Sequence, residues 1–217
     1  MTVKLDENTK RQIKDMLTRM EGPVTAHLFL SQNHCLYCNE VKELMDNIVK
    51  LAPKGKLKLE ACECDTESEK AKKHGIDKHP AVVLEGKNKG KVRTFGIMSG
   101  YEFGSFIEDI VDVSRGETGL LSQEAKDYIK SIDKPVHIQV FVTPTCPFCP
   151  GTVRLDHAAA MINPNITGDM IEAMEFHELS EKYKVFGVPK MVINEEVHLE
   201  GAPPEGMFIE KLKESLS

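Results

Sequence analysis

The sequence predicts an α/β protein built as two tandem units, each a mixed sheet flanked by helices in a three-layer α/β/α arrangement. Three observations carry this reading. The spacing Cys-x-x-Cys occurs twice, as Cys35-Leu36-Tyr37-Cys38 and Cys146-Pro147-Phe148-Cys149, 111 positions apart (146 − 35) in a chain of 217 residues. Each pair lies between an apolar strand-like run and a helix-like one. A proline then opens a β-branched run 45 residues after the first cysteine in one half (80 − 35) and 43 in the other (189 − 146).

The elements follow in the same order twice. Glu7 to Met20 sets Ile13, Met16, Leu17 and Met20 at helical spacing, and Pro23-Val24 opens a strand from Val24 to Leu30. After the first cysteine pair, Val41, Leu44, Met45, Ile48, Val49 and Leu51 make one helical face, ended by Pro53 and Gly55. A strand over Lys56 to Cys64, a short helix over Glu67 to His74 and a strand after Pro80 follow. A hairpin turn at Gly86 to Gly90 and a closing helix around Phe106-Ile107-Glu108 complete the half.

The second half starts with a helix over Ser122 to Ile132, capped by Ser122, and a strand over Val136 to Val142. Behind its cysteines, Val153, Leu155, Ala158, Ala159 and Ile162 form a helix that Asn163-Pro164 ends. A strand over Met170 to Phe176, a helix over Glu178 to Tyr183 and a strand after Pro189 come next. A turn at Asn194-Glu195-Glu196 leads to a last helix with Phe208-Ile209-Glu210. Arg115-Gly116-Glu117-Thr118-Gly119 breaks the periodicity and divides the chain into expected units 1–117 and 118–217. With no long linker, the halves should pack together.

Composition narrows the function. Net charge −6 with 29% charged residues disfavours nucleic acid or an anionic membrane as partner. The polar start Met1 to Glu7 lacks the apolar core of a signal peptide, and no run approaches the roughly 20 apolar residues of a spanning helix. A soluble cytoplasmic protein is expected. Four of the six cysteines fall in the two motifs, which in a reducing compartment points to redox or metal chemistry rather than a disulfide scaffold.

Order and residues together resemble the thioredoxin/glutaredoxin fold in each half. The tandem arrangement resembles the protein disulfide oxidoreductases, glutaredoxin-like proteins of thermophilic archaea and bacteria. The nearest local matches are Thr143 to Pro150 (TPTCPFCP), Gly187-Val188-Pro189-Lys190 and Ile110 to Ser114. A helix N-terminus favours the thiolate of the first cysteine, lowering a thiol pKa of about 8.5 toward 7 or below. Cys35 or Cys146 then attacks a target disulfide, and Cys38 or Cys149, one turn on, resolves the mixed disulfide.

The resemblance implies that Pro80 and Pro189 are cis prolines beside the dithiols, with His79 and Val188 pairing their backbones with bound substrate. Tyr37 and Phe148 read from the residues themselves as an apolar rim for substrate, with plain packing as the second reading. The resemblance further implies no bound cofactor: electrons would come from an external thiol or a thioredoxin-reductase-like flavoprotein, to protein disulfides and in a relay variant to a peroxiredoxin. The N-terminal region of alkyl hydroperoxide reductase flavoproteins is a similar tandem but typically keeps one Cys-x-x-Cys, so two retained pairs favour the disulfide oxidoreductase. A zinc-binding structural module is a third reading.

The remaining residues add less. His34 could favour the Cys35 thiolate, and Pro147 removes an N–H near Cys146. The strands entering the two sites contain no Asp or Glu, so a proton acceptor must be water or an acid elsewhere. His27 and His137 on those strands read as packed or surface residues. Cys62 and Cys64 read first as core, then as an auxiliary redox pair, and least as zinc thiolates with Cys35 and Cys38. The other histidines and acids make no ligand spacing, no nucleotide fingerprint appears, and no metal is expected. Lys190 leaves glutathione binding open.

Overall fold

The computed structural model describes residues 5–31, 33 and 35–217; His34, singled out above, lies outside the described residues. The first half runs α1 (Glu7–Leu17), β1 (Val24–Leu30), α2 (Cys38–Leu51), β2 (Leu57–Glu63), α3 (Glu69–His74), β3 (Ala81–Glu85), β4 (Lys91–Phe95) and α4 (Tyr101–Arg115). The second runs α5 (Gln123–Ser131), β5 (Val136–Val142), α6 (Cys149–Ile162), β6 (Ile166–Glu172), α7 (His177–Lys182), β7 (Lys190–Ile193), β8 (Val197–Glu200) and α8 (Glu205–Glu214). Asp6, Ser68 and Ser122 cap α1, α3 and α5 by accepting backbone N–H groups with their side chains.

The halves do not make separate sheets. All eight strands join in the order β2-β1-β3-β4-β6-β5-β7-β8. The seam is the parallel pair β4–β6, with Arg93 opposite Asp169. One face carries α1, α2, α4, α5, α6 and α8 over a continuous apolar core; the other carries α3 and α7 over a smaller cluster around Phe29, Phe95 and Phe141. Among the described residues no helix is long and apolar enough to cross a membrane.

Charged groups buried at the seam tie the halves together. Arg93 gives two hydrogen bonds of 2.6 Å to the two carboxylate oxygens of Asp169. His137 approaches the same carboxylate at 2.7 Å. Burial alone would raise the Asp169 pKa, but Arg93 and His137 outweigh it and hold the carboxyl well below its usual range. A second cluster joins α4 to α6: Arg154 donates to Asp109 at 2.8 Å and to Asp112 at 2.6 Å, while His157 Nδ1 meets Asp109 at 2.7 Å. His157 Nε2 faces the Arg93 carbonyl at 3.2 Å, so both ring nitrogens face acceptors. Burial disfavours the His157 cation, yet Asp109 prevails and its pKa rises to about 9.

Element bounds differ from the expectations in a few places. The strand expected over Met170 to Phe176 is β6, Ile166–Glu172, because Gly168 and Asp169 in its middle break the apolar pattern. Both have structural reasons: Asp169 is the Arg93 partner, and a Cβ on Gly168 would lie 2.4 Å from the Asp156 carboxylate. The strand expected to reach Cys64 stops at Glu63, and the two short helices are Glu69–His74 and His177–Lys182. His137, read from sequence as a packed or surface residue, is a member of the seam cluster.

Removing one partner of the seam leaves a buried charge uncompensated. Asp169→Asn should lower unfolding free energy by about 3–5 kcal/mol, read from urea titration. For His157 the folded pKa of about 9 exceeds the unfolded value, so its contribution is complete below about pH 6.5 and is lost as pH rises through 9. The stability difference between wild type and His157→Gln should therefore shrink by roughly 3 kcal/mol between pH 6 and pH 10.

Candidate active sites

Each cysteine pair sits where a central strand hands over to a helix: β1 to α2, and β5 to α6. β1 is antiparallel to β3, β3 to β4, and β4, β6 and β5 are mutually parallel, so β1 and β5 point the same way. Both pairs therefore emerge at one edge of the sheet, and α2 and α6 cover the same face. Four strand spacings separate them, about 19 Å.

The helices start at the second cysteine of each pair, Cys38 and Cys149. The first cysteine instead occupies the position in front of the helix end. There the Cys149 N–H, one of the donors that a helix start leaves unpaired, reaches the Cys146 Sγ at 3.1 Å. Both pairs are in the disulfide form, with Cα–Cα distances of 5.6 Å for Cys35–Cys38 and 5.5 Å for Cys146–Cys149. Cys149 is fully buried, Cys38 and Cys146 nearly so, and Cys35 is half-buried.

The two expected prolines occupy equivalent places in the two halves. The peptide bonds His79–Pro80 and Val188–Pro189 are both cis, each leading directly into an inner strand of its hairpin, β3 or β7. The Pro80 and Pro189 carbonyls accept from the Gly96 and Gly201 N–H groups at 3.0 and 2.9 Å, equivalent bonds in the two halves. His79 and Val188 are half-buried beside them. Burial pushes the His79 pKa down, against a hydrogen bond to the Cys64 backbone. At the rim, Phe148 is 69% exposed and Leu36 67%, whereas Tyr37 is half-buried against the main core.

Two carboxyl groups with a buried, unpartnered oxygen lie off β1 and β5: Glu102 at the start of α4 and Glu175 in the turn after β6. Glu102, in the first turn of α4, is 1% exposed and leaves Oε1 without a hydrogen bond. Burial raises its pKa to about 7, although Ser105 donates to it at 3.2 Å. The start of α4 is pinned to the loop of the second pair: Tyr101 N–H donates to the Pro144 carbonyl at 3.0 Å. Gly100 is required there, since it has φ of 61° and a Cβ would lie 2.0 Å from that carbonyl. Glu102 sits on the buried stripe of Phe106, Asp109, Ile110 and Val113, so an acid among apolar positions at helical spacing was the signal.

Glu175 lies across a groove of about 300 Å³ from the first pair, lined by Leu36, Tyr37, Ile97, Pro144, Glu172 and Met174. It accepts from the Ile97 N–H at 2.5 Å and keeps Oε2 buried and unpartnered. Burial, with Glu172 adding, raises its pKa to about 7 despite the Ile97 bond.

Other candidates are drawn away from the chemistry. The buried Lys190 ammonium donates to the Lys184 carbonyl at 3.0 Å and meets Glu200 at 3.4 Å, which removes it from a glutathione carboxylate. Cys62 and Cys64 are half-buried against the smaller apolar cluster rather than within the core. They are joined to each other as a disulfide, which separates them from a four-thiolate set with Cys35 and Cys38.

This geometry has close parallels. A thioredoxin domain model matches residues 136–214. A protein disulfide oxidoreductase from Aeropyrum pernix K1 superposes with a TM-score of 0.88 at 33% identity, over 97% of this chain and 93% of that one. The alkyl hydroperoxide reductase protein AhpF of Enterococcus faecalis gives 0.85 at 28% identity, over 96% and 99%. The AhpF protein of Staphylococcus aureus is 32% identical over 193 residues, 88% of this chain and 34% of that protein, so the chain spans about a third of the curated relatives it matches. A thioredoxin-type fold repeated within one continuous sheet, two Cys-x-x-Cys pairs at equivalent junctions and a full-length match above 30% identity place this chain in the protein disulfide oxidoreductase family.

Proposed function

We propose that the chain is a thiol-disulfide oxidoreductase acting on protein disulfides through both pairs, with Cys146 and Cys35 as nucleophiles and Cys149 and Cys38 as resolving thiols. The observation that carries this is the Cys149 N–H aimed at Cys146 Sγ at the start of α6, a donor that favours the thiolate over the thiol. In the reducing direction the Cys146 thiolate attacks one sulfur of the target and releases the other as a thiolate. Cys149 then displaces the target from Cys146, leaving the target reduced and Cys146–Cys149 oxidised. His79 and Val188, ahead of the cis prolines, would hold an extended substrate segment, with Tyr37, Leu36 and Phe148 as its apolar floor. Glu102 fits the role of proton acceptor for the Cys149 thiol, being buried, short of one hydrogen bond and titrating near 7. Glu175 fits the same role at the first pair.

The likeness to the AhpF proteins favours a second reading, a relay that carries electrons from a flavoprotein reductase of the thioredoxin reductase type to a peroxiredoxin. Both readings need the dithiols regenerated by an outside thiol or flavoprotein, and they differ in the acceptor.

Dithiothreitol-driven insulin reduction separates the roles of the pairs. Cys146→Ser should abolish most of the activity and Cys35→Ser the smaller part; activity untouched in both variants would refute the assignment. Glu102→Gln should slow insulin reduction about tenfold or more at pH 8 and remove the rise in rate through pH 7 that is expected of wild type.

A further inference from the structure

Beyond the dithiols, the structure brings together residues that the sequence keeps apart. His74 follows His27 by 47 positions (74 − 27) and Glu85 follows His74 by 11 (85 − 74), with no ligand spacing among them. β1, α3 and β3 nevertheless place one donor atom of each within 4.8 Å of the others. They lie on the α3 face of the sheet, beside Phe29 and away from α2. We propose that His27, His74 and Glu85 form a binding site for a divalent transition cation of the zinc class.

Three features favour a cation over plain packing. First, the buried His27 ring is set between two carboxylates, with Nε2 2.8 Å from Glu85 and Nδ1 3.4 Å from Glu60. Nδ1 is buried and makes no hydrogen bond, so the ring is left short of a polar partner between the two carboxylates. Second, the His74 ring lies 4.5 Å from that of His27 and is buried with it, so the two imidazoles face one another with donor atoms close together. Third, the ligand-bearing end of α3 is held in place: Arg93 donates to the Gly75 carbonyl at 2.5 Å and reaches that of His74 at 3.4 Å.

Two imidazoles and a carboxylate suit zinc and its neighbours better than the harder calcium or magnesium ions. Bonds of about 2.0–2.2 Å put tetrahedral donors roughly 3.4 Å apart, so the site needs only a modest closure. Glu85, an exposed side chain at the end of β3, can supply it. Glu60 then accepts from the His27 nitrogen that the ion does not use, fixing the ring as second carboxylates do at metal-bound histidines.

The oxidised full-length protein is the right material for the test, because all six cysteines are then in disulfides and no thiolate competes. Equilibrium dialysis against Zn²⁺ should load one ion per chain, and Co²⁺ should give an absorption spectrum free of sulfur charge-transfer bands. His74→Gln and Glu85→Gln should each weaken Zn²⁺ binding about tenfold or more while leaving insulin reduction unchanged. Zn²⁺ should raise the Tm of wild type more than that of Glu85→Gln, an exposed substitution that leaves the fold intact. Oxidised wild type that takes up no Zn²⁺ at about 1 mM, or binds it equally in both variants, overturns the site.

Discussion

The Arg93–Asp169 pair with His137 is the interaction on which the rest of the structure depends. It lies at the one place where the halves share a sheet; Arg93 and Asp169 are almost wholly out of water, and His137 borders them from a partly exposed position. Buried charges are tolerated only when paired with good geometry, and here both oxygens of the carboxylate are used. A slip of one residue between β4 and β6 would turn Arg93 and Asp169 to opposite faces and strand both charges. The pair thus fixes the seam register, and through it the relative position of the two dithiol-bearing strands. The cluster of Arg154, Asp109 and His157 does the same for α4 against α6, and joins the first through the Arg93 carbonyl.

Buried polar groups also cross between the halves at the sites themselves. Glu102 belongs to the first half and faces α6, the helix that begins at Cys149; Glu175 belongs to the second half and lines the groove beside Leu36 and Tyr37. An acid of each half therefore packs against the other half: Glu102 toward His157, and Glu175 on the Ile97 N–H. A unit cut away at residues 116–122 would lose its seam hydrogen bonds and these contacts together.

Much of this was legible in the chain because it rests on local rules. Amphipathic spacing located α1, α2 and α5, and apolar runs opened by a Pro-Val pair located β1 and β5. The cysteine pairs and the two prolines stood out because each occurred twice. What escaped was polar residues doing long-range work. Gly168 and Asp169 disguised β6, since a glycine and an acid mid-strand read as a turn until their partners Asp156 and Arg93 are seen. Glu102 hid on an apolar stripe, and Glu175 in a turn after β6. His27, His74 and Glu85 meet only through strand pairing and the docking of α3, which no spacing encodes.

The placement of both cysteine pairs on one edge has a consequence for how the protein meets its targets. With a stiff sheet holding them about 19 Å apart, the pairs cannot touch, so neither can oxidise the other directly. A flexible polypeptide captured at one pair is instead tethered within reach of the other. For such a client the second encounter is intramolecular, with a local concentration that for a short flexible tether reaches the millimolar range. On the proposed function, an unfolded chain carrying several cysteines is the client that would draw most from this arrangement, and a small disulfide the one that would draw least.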